Sequence, residues 1–161
     1  MRKSFTAVLA GTAVAAAVAT TVVAPASADT GVRDTSAADL YVRADKPTAA
    51  QFERQAAAFW NPNISIDQKV AVSVNGAKAR PELEKVMAYN KVYDFLGASA
   101  RTTGPANVNG SKATVGLSAI VVGFPATGYT YYYTREGGLW KFDWKANCAS
   151  MGCTGNPNFG Y

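Results

Sequence analysis

The sequence contains no histidine in 161 residues. That removes the side chain most often used as a general base and as a metal ligand, so a nucleophile triad would lack its usual base. Cysteine is nearly absent too: Cys148 and Cys153 are the only two, with four residues between them. Two thiols without a histidine make a poor zinc site, and the spacing is not the C-x-x-C of a disulfide oxidoreductase. We therefore expect no metal and no cofactor. Charge is sparse as well, at 17% of residues and a net +5. The basic residues stand singly, with no cluster to track a phosphate backbone, so no nucleic-acid partner is expected.

A long, strongly apolar run is missing. The one extended uncharged stretch follows Met1, Arg2 and Lys3, is rich in Ala, Val and Thr, contains Gly11 and Pro25, and ends at Ala26-Ser27-Ala28. It reads as a signal peptide over residues 1–28 with an A-x-A cleavage site, and it makes no stable membrane anchor. Removing the first 28 of 161 residues leaves 133, with 14 basic and 11 acidic side chains and a net charge of +3. That length suits one domain with a real core. An exported chain meets an oxidising environment, so Cys148 and Cys153 are expected to be bridged, restraining the unfolded tail by about 2 kcal/mol on the chain-entropy argument.

What the chain does have is aromatic alternation. Gly128 to Ala149 reads as a strand, a Gly137-Gly138 turn and a second strand. A two-residue turn sets Arg135 opposite Trp140, Tyr133 opposite Phe142 and Tyr131 opposite Trp144, whereas a four-residue loop shifts the register and keeps the faces. Tyr129, Tyr131, Tyr133, Trp140, Phe142 and Trp144 then share one face, with Thr130, Tyr132, Thr134, Lys141, Asp143 and Lys145 on the other. Burying six rings at roughly 1.5 to 3 kcal/mol each is worth on the order of 10 kcal/mol before entropy, so this face must be covered.

Upstream, residues 29–47 carry only Val32, Leu40, Tyr41 and Val42 as larger apolar residues and read as a flexible linker. Thr48 and Gln51 form a capping box before Phe52, Ala56, Phe59 and Trp60, which predicts a helix over 49–60, stopped at Asn61-Pro62. Ser65 and Gln68 make a second box, but Val70, Val72 and Val74 alternate as in a strand, leaving residues 66–74 open between helix and strand. Pro81 suits a first helical position, and Leu83, Val86, Met87 and Tyr89 or Tyr93 continue a third helix from near Arg80. Strands begin after Gly97, with Asn109-Gly110 as a turn and Ala113, Val115, Leu117, Ala119 and Val121 on one face. Helices followed by a meander of about four antiparallel strands give an α+β arrangement over residues 48–147. Residues 148–161 read as a disulfide-tethered loop.

Several of these segments resemble a known family. Pro47-Thr48-Ala49-Ala50-Gln51, Asn61-Pro62-Asn63-Ile64-Ser65 with Lys69, Gly110-Ser111-Lys112-Ala113-Thr114, and Glu136-Gly137-Gly138-Leu139-Trp140-Lys141 are similar to the low-molecular-weight secreted antigens of mycobacteria and their relatives. The resemblance spans about Pro47 to Ala146 and implies a cystatin-like or nuclear-transport-factor-like cone, with N-terminal helices packed in the concavity of a curved antiparallel sheet. It favours a helix over residues 66–72 and implies no activity. The cysteine pair and the Asn-rich end lie outside its pattern.

Two functional readings follow. In one the protein is a secreted, non-enzymatic binding module, at the cell wall or beyond it, whose partner is an apolar small molecule held by the aromatic face or a cell-surface protein. In the other it is a small isomerase, dehydratase or hydrolase with Asp94 as a buried carboxylate. The competing account of the aromatic face is a filled core, and that of Asp94 is a solvated turn residue. The chain is expected to be a monomer or a weak dimer joined through the sheet's outer face at Thr130, Tyr132 and Thr134.

Overall fold

The computed structural model describes residues 29–93 and 97–161. The signal peptide expected over residues 1–28 and the carboxylate of Asp94 lie outside them. Among the described residues four α-helices, α1 (Ala49–Trp60), α2 (Ile66–Ala71), α3 (Gly76–Tyr93) and α4 (Trp144–Met151), accompany six strands: β1 (Thr30–Gly31), β2 (Ala98–Thr102), β3 (Asn107–Asn109), β4 (Lys112–Val121), β5 (Thr127–Glu136) and β6 (Leu139–Phe142). All six belong to one sheet of order β1-β2-β4-β5-β6, with β3 also paired to β4 and every pairing antiparallel. The sheet curls into a half-barrel and α1 packs against its inner face, so the fold is the α+β cone. The expected four strands become six because β1 and β3, two and three residues long, escape a reading based on alternation.

The capping box starts α1 as expected: the Gln51 amide donates to Thr48 Oγ1 at 3.2 Å and the Thr48 amide to Gln51 Oε1 at 2.9 Å. Its buried face carries Phe52, Ala56 and Phe59 into the sheet. Phe52 stacks on Tyr133 with ring centroids 4.4 Å apart, and Phe59 meets Phe142 at 4.4 Å. Gly137 and Gly138, at φ of 58° and 74°, supply the left-handed conformation that a two-residue hairpin turn requires. The resulting register pairs Tyr133 with Phe142 and Arg135 with Trp140.

Three expectations need correction, and one that stayed open is resolved. The second hairpin strand stops at Phe142, and Trp144 opens α4 instead of facing Tyr131. Asp143 caps that helix by accepting from the Ala146 amide at 3.2 Å. Asn147 then occupies the place where pairing would continue, accepting from the Tyr132 amide at 2.9 Å and donating to its carbonyl at 2.8 Å. A side-chain amide thus substitutes for a strand.

The arm over residues 29–47 is no linker. Val32, Leu40 and Val42 are buried, and the arm's carbonyls are bonded from within the domain. Gln55 donates to Leu40 O at 2.8 Å, Asn61 to Thr35 O at 3.2 Å and the Trp140 indole to Ala44 O at 2.9 Å. Glu53 on α1 accepts from Thr30 Oγ1 at 2.7 Å and from the Thr102 amide at 2.6 Å, joining β1 and β2 to the helix. Few apolar residues suffice where polar side chains of the core hold the backbone.

The open segment 66–74 is a helix to Ala71, after which Val72 and Val74 bond Phe142 as an edge would: the Phe142 amide donates to Val72 O at 2.8 Å and the Val74 amide to Phe142 O at 2.9 Å. Both readings of that stretch hold a part of the answer. Finally, α3 starts at Gly76, and Pro81 lies inside it instead of at its first position. Asn75, at φ 52°, reverses the chain early, and a Cβ at position 76 would collide with the Val70 carbonyl, so glycine starts the helix there.

Lys69 is fully buried on α2, and among the described residues no carboxylate pairs with it. Its ammonium donates to Asn61 O at 2.6 Å and lies 2.9 Å from Met87 Sδ. Burial lowers its pKa from 10.5 to about 8. Among the described residues, no helix is long and apolar enough to cross a membrane.

The titration of Lys69 has a defined sign. Between the folded pKa of about 8 and the ordinary 10.5, the unfolded chain binds the extra proton, so stability rises with pH through that interval. Above pH 10 the buried Tyr131 and Tyr133, whose pKa values are raised, oppose the trend, because unfolded tyrosines ionise and folded ones do not. Urea unfolding across this range is expected to show a stability maximum near pH 10, and Lys69→Met should flatten the ascending limb. A profile that falls monotonically from neutrality would contradict the assignment.

Candidate functional site

A cavity of about 480 Å³ lies between the inner sheet face, α1 and the C-terminal segment. Its origin is a match of small residues with small residues. Where α1 carries Phe52 and Phe59 it fills the space over Tyr133 and Phe142; where it carries Ala56 and Ala57 it faces Ala100, Leu117 and Ala119 and leaves room. Trp60, at the end of α1, and Tyr129 and Tyr131, on β5, form one wall. Trp144, Met151, Cys153 and Phe159 continue the lining, with Trp144 edge-on to Trp60 at 6.4 Å. Val86 and Asn90 of α3, with Ala98 and Ser150, lie at its more exposed end.

The six aromatic candidates therefore divide. Tyr129, Tyr131 and Trp144 line the cavity, whereas Tyr133, Trp140 and Phe142 are packed core, each at most 1% exposed. The alternation that grouped them cannot separate them, because the helix residue lying over each one decides. Trp60 is the cavity residue that sequence reasoning passed over as core. The available signal was the run Ala56-Ala57-Ala58 inside an otherwise bulky helix face.

Polar atoms in this wall are few and placed. The Trp60 indole N–H donates to the Tyr131 hydroxyl at 3.0 Å. Trp144 is held by its own indole donating to Ser73 Oγ at 2.9 Å, and Ser73 in turn donates to Lys69 O at 2.8 Å. Desolvation pushes the Tyr131 pKa up to about 12, only partly offset by the bond from Trp60. The described lining contains no Asp, Glu, Lys or Arg. Asp143 lies away from it: burial works against its carboxylate, but hydrogen bonds from Thr134 at 2.8 Å and Lys112 at 3.1 Å outweigh that and lower its pKa.

The tail contributes one side of the cavity. Cys148 and Cys153 stand at disulfide distance, with Cα atoms 4.5 Å apart. The chain then turns so that Phe159 stacks on Trp144, centroids 5.4 Å apart, while Asn158 donates to Glu82 of α3 at 3.1 Å. The segment read as a loop is thus one helix, a bridge and a short 3-10 turn over Pro157–Phe159.

Residues 45–158 match the family described as low molecular weight antigen MTB12, C-terminal domain. The chain belongs to this family. No curated protein and no solved structure gives a significant match. The matched region extends past Ala146 across both cysteines and the Asn-rich end, so it runs further than the resemblance read from the motifs. In this antigen-family chain, α1 to α4 and strands β2 to β6 fall inside the matched region, whereas β1 and the cavity residue Phe159 lie outside it.

Two outcomes test this division of the core. Tyr133 is fully buried with its hydroxyl unpaired among the described residues. Its conversion, Tyr133→Phe, should raise stability by about 1 kcal/mol, read as a higher urea midpoint at unchanged slope; a clear loss would show that the hydroxyl is paired after all. Cys148→Ser should lower stability by about 2 kcal/mol and leave the fold intact by far-ultraviolet circular dichroism, since the bridge closes only a short loop at the end of α4 and serine keeps nearly the volume of the buried Cys148 side chain.

Proposed function

We propose that this protein is an exported, non-enzymatic binding module that carries an apolar small molecule in the cavity of its cone. The observation that supports this most is the cavity itself. Its volume of about 480 Å³ falls within the ~300–1,000 Å³ usual for small-molecule sites, and its described wall is apolar apart from a few placed polar groups. Export is supported by the leader read in residues 1–28 and by the disulfide, which suits an oxidising compartment. The reading of a carboxylate acid–base enzyme draws no support from the described lining, which offers neither Asp nor Glu to a bound substrate.

Native mass spectrometry of the protein taken from culture medium tests the proposal. The expected result is a reproducible extra mass that is lost on denaturation, together with a change in Trp60 and Trp144 fluorescence on titration with apolar compounds. A bare mass and an unresponsive fluorescence across fatty acids, esters and sterols would remove the carrier reading.

A further inference from the structure

The cavity's few polar atoms specify more than apolarity. Tyr131 is 5% exposed and its ring lies in the cavity wall. A phenolic oxygen can donate one hydrogen bond and accept others. The accepting side is used here, because the Trp60 indole N–H, which can only donate, points at that oxygen from 3.0 Å. The phenol proton is left over, and among the described residues no acceptor is bonded to it. A buried donor without an acceptor is destabilising, and a ligand oxygen would recover that cost.

Charge sets the second condition. A carboxylate entering the cavity would lose its hydration and find no Lys or Arg in the described wall; residues 94–96, Asp-Phe-Leu, hold no basic side chain either. An unpaired buried charge is far more costly than an unpaired dipole. A bare hydrocarbon avoids that penalty but leaves the phenol proton unmatched.

We propose that the cavity selects uncharged apolar molecules that present an acceptor oxygen, such as the carbonyl of an ester or ketone, to the Tyr131 hydroxyl, and that it discriminates against ionised fatty acids. Trp60 is a positioning residue: by donating to one lone pair of the phenol oxygen it directs the proton away from itself, toward the ligand. With its pKa pushed up to about 12, Tyr131 keeps that proton throughout the neutral range. This inference rests on the carrier reading and narrows it to one chemical class.

The test is a competition at neutral pH between methyl nonanoate, decanoate and decane, chains of equal carbon count that differ in the head group, for a fluorescent apolar probe bound to the whole protein. The ester should bind most tightly, the alkane more weakly by about tenfold, and the carboxylate weakest. In Tyr131→Phe, which keeps the ring, the ester-to-alkane affinity ratio should fall about tenfold. Trp60→Phe should lower the same ratio without removing the phenol. Decanoate binding as tightly as the ester, or a ratio unchanged in Tyr131→Phe, would overturn the selectivity while leaving the carrier reading in place. Failure of all three compounds and the probe to bind would remove both.

Discussion

The fold depends on one contact surface, the aromatic seam between α1 and the β5–β6 hairpin. Phe52 against Tyr133 and Phe59 against Phe142, each pair at 4.4 Å, press the helix into the concave side of the sheet. Trp140 adds an edge-on contact to Phe52 at 5.8 Å and spans outward to the arm through its indole N–H on Ala44. Aromatic rings carry large buried areas at low conformational cost, so a short seam can fix both the position of a helix and the curl of a sheet. Elements that lack a strong pattern of their own, the arm and the tail among them, are then held by hydrogen bonds to residues this seam has already placed.

The same helix face that makes the core also makes the cavity. Close packing is achieved where large side chains oppose each other and fails where alanines do. On α1 the change from Phe to Ala takes place within one turn, from Phe52 to Ala56, and the sheet beneath it changes in step from Tyr133 to Leu117 and Ala100. The void is therefore a property of the pairing of two elements. The C-terminal segment completes it, with Phe159 and Met151 closing the side that the sheet leaves open and the Cys148–Cys153 bridge fixing the turn between α4 and the last residues.

Two buried polar devices show how the chain joins elements that have little apolar surface. Glu53 gathers Thr30 and Thr102 onto α1, so that a two-residue strand is retained at the sheet edge. Asn147 satisfies both backbone groups of Tyr132, which lets β6 end and a helix begin without leaving an unpaired edge. In each case a side chain supplies the bonds that a longer strand would otherwise have made.

Local patterns settled a good part of this protein in advance. The capping box at Thr48 and Gln51, the Gly137-Gly138 turn and the alternation along β4 and β5 act over a few residues, and each led to the helix, turn or register found. They also marked the antigen-family resemblance that the match over residues 45–158 bears out. What the sequence could not settle depends on residues far apart in the chain. Whether Tyr131 or Tyr133 meets open space is decided by Ala56 and Phe52 on another element. That β6 stops at Phe142 is decided by an amide five residues on, folding back on Tyr132. That residues 30–47 are ordered is decided by Gln55, Asn61 and Trp140 reaching their carbonyls. Periodicity assigns a side chain to a face, but only the element packed on that face determines whether the space there is filled.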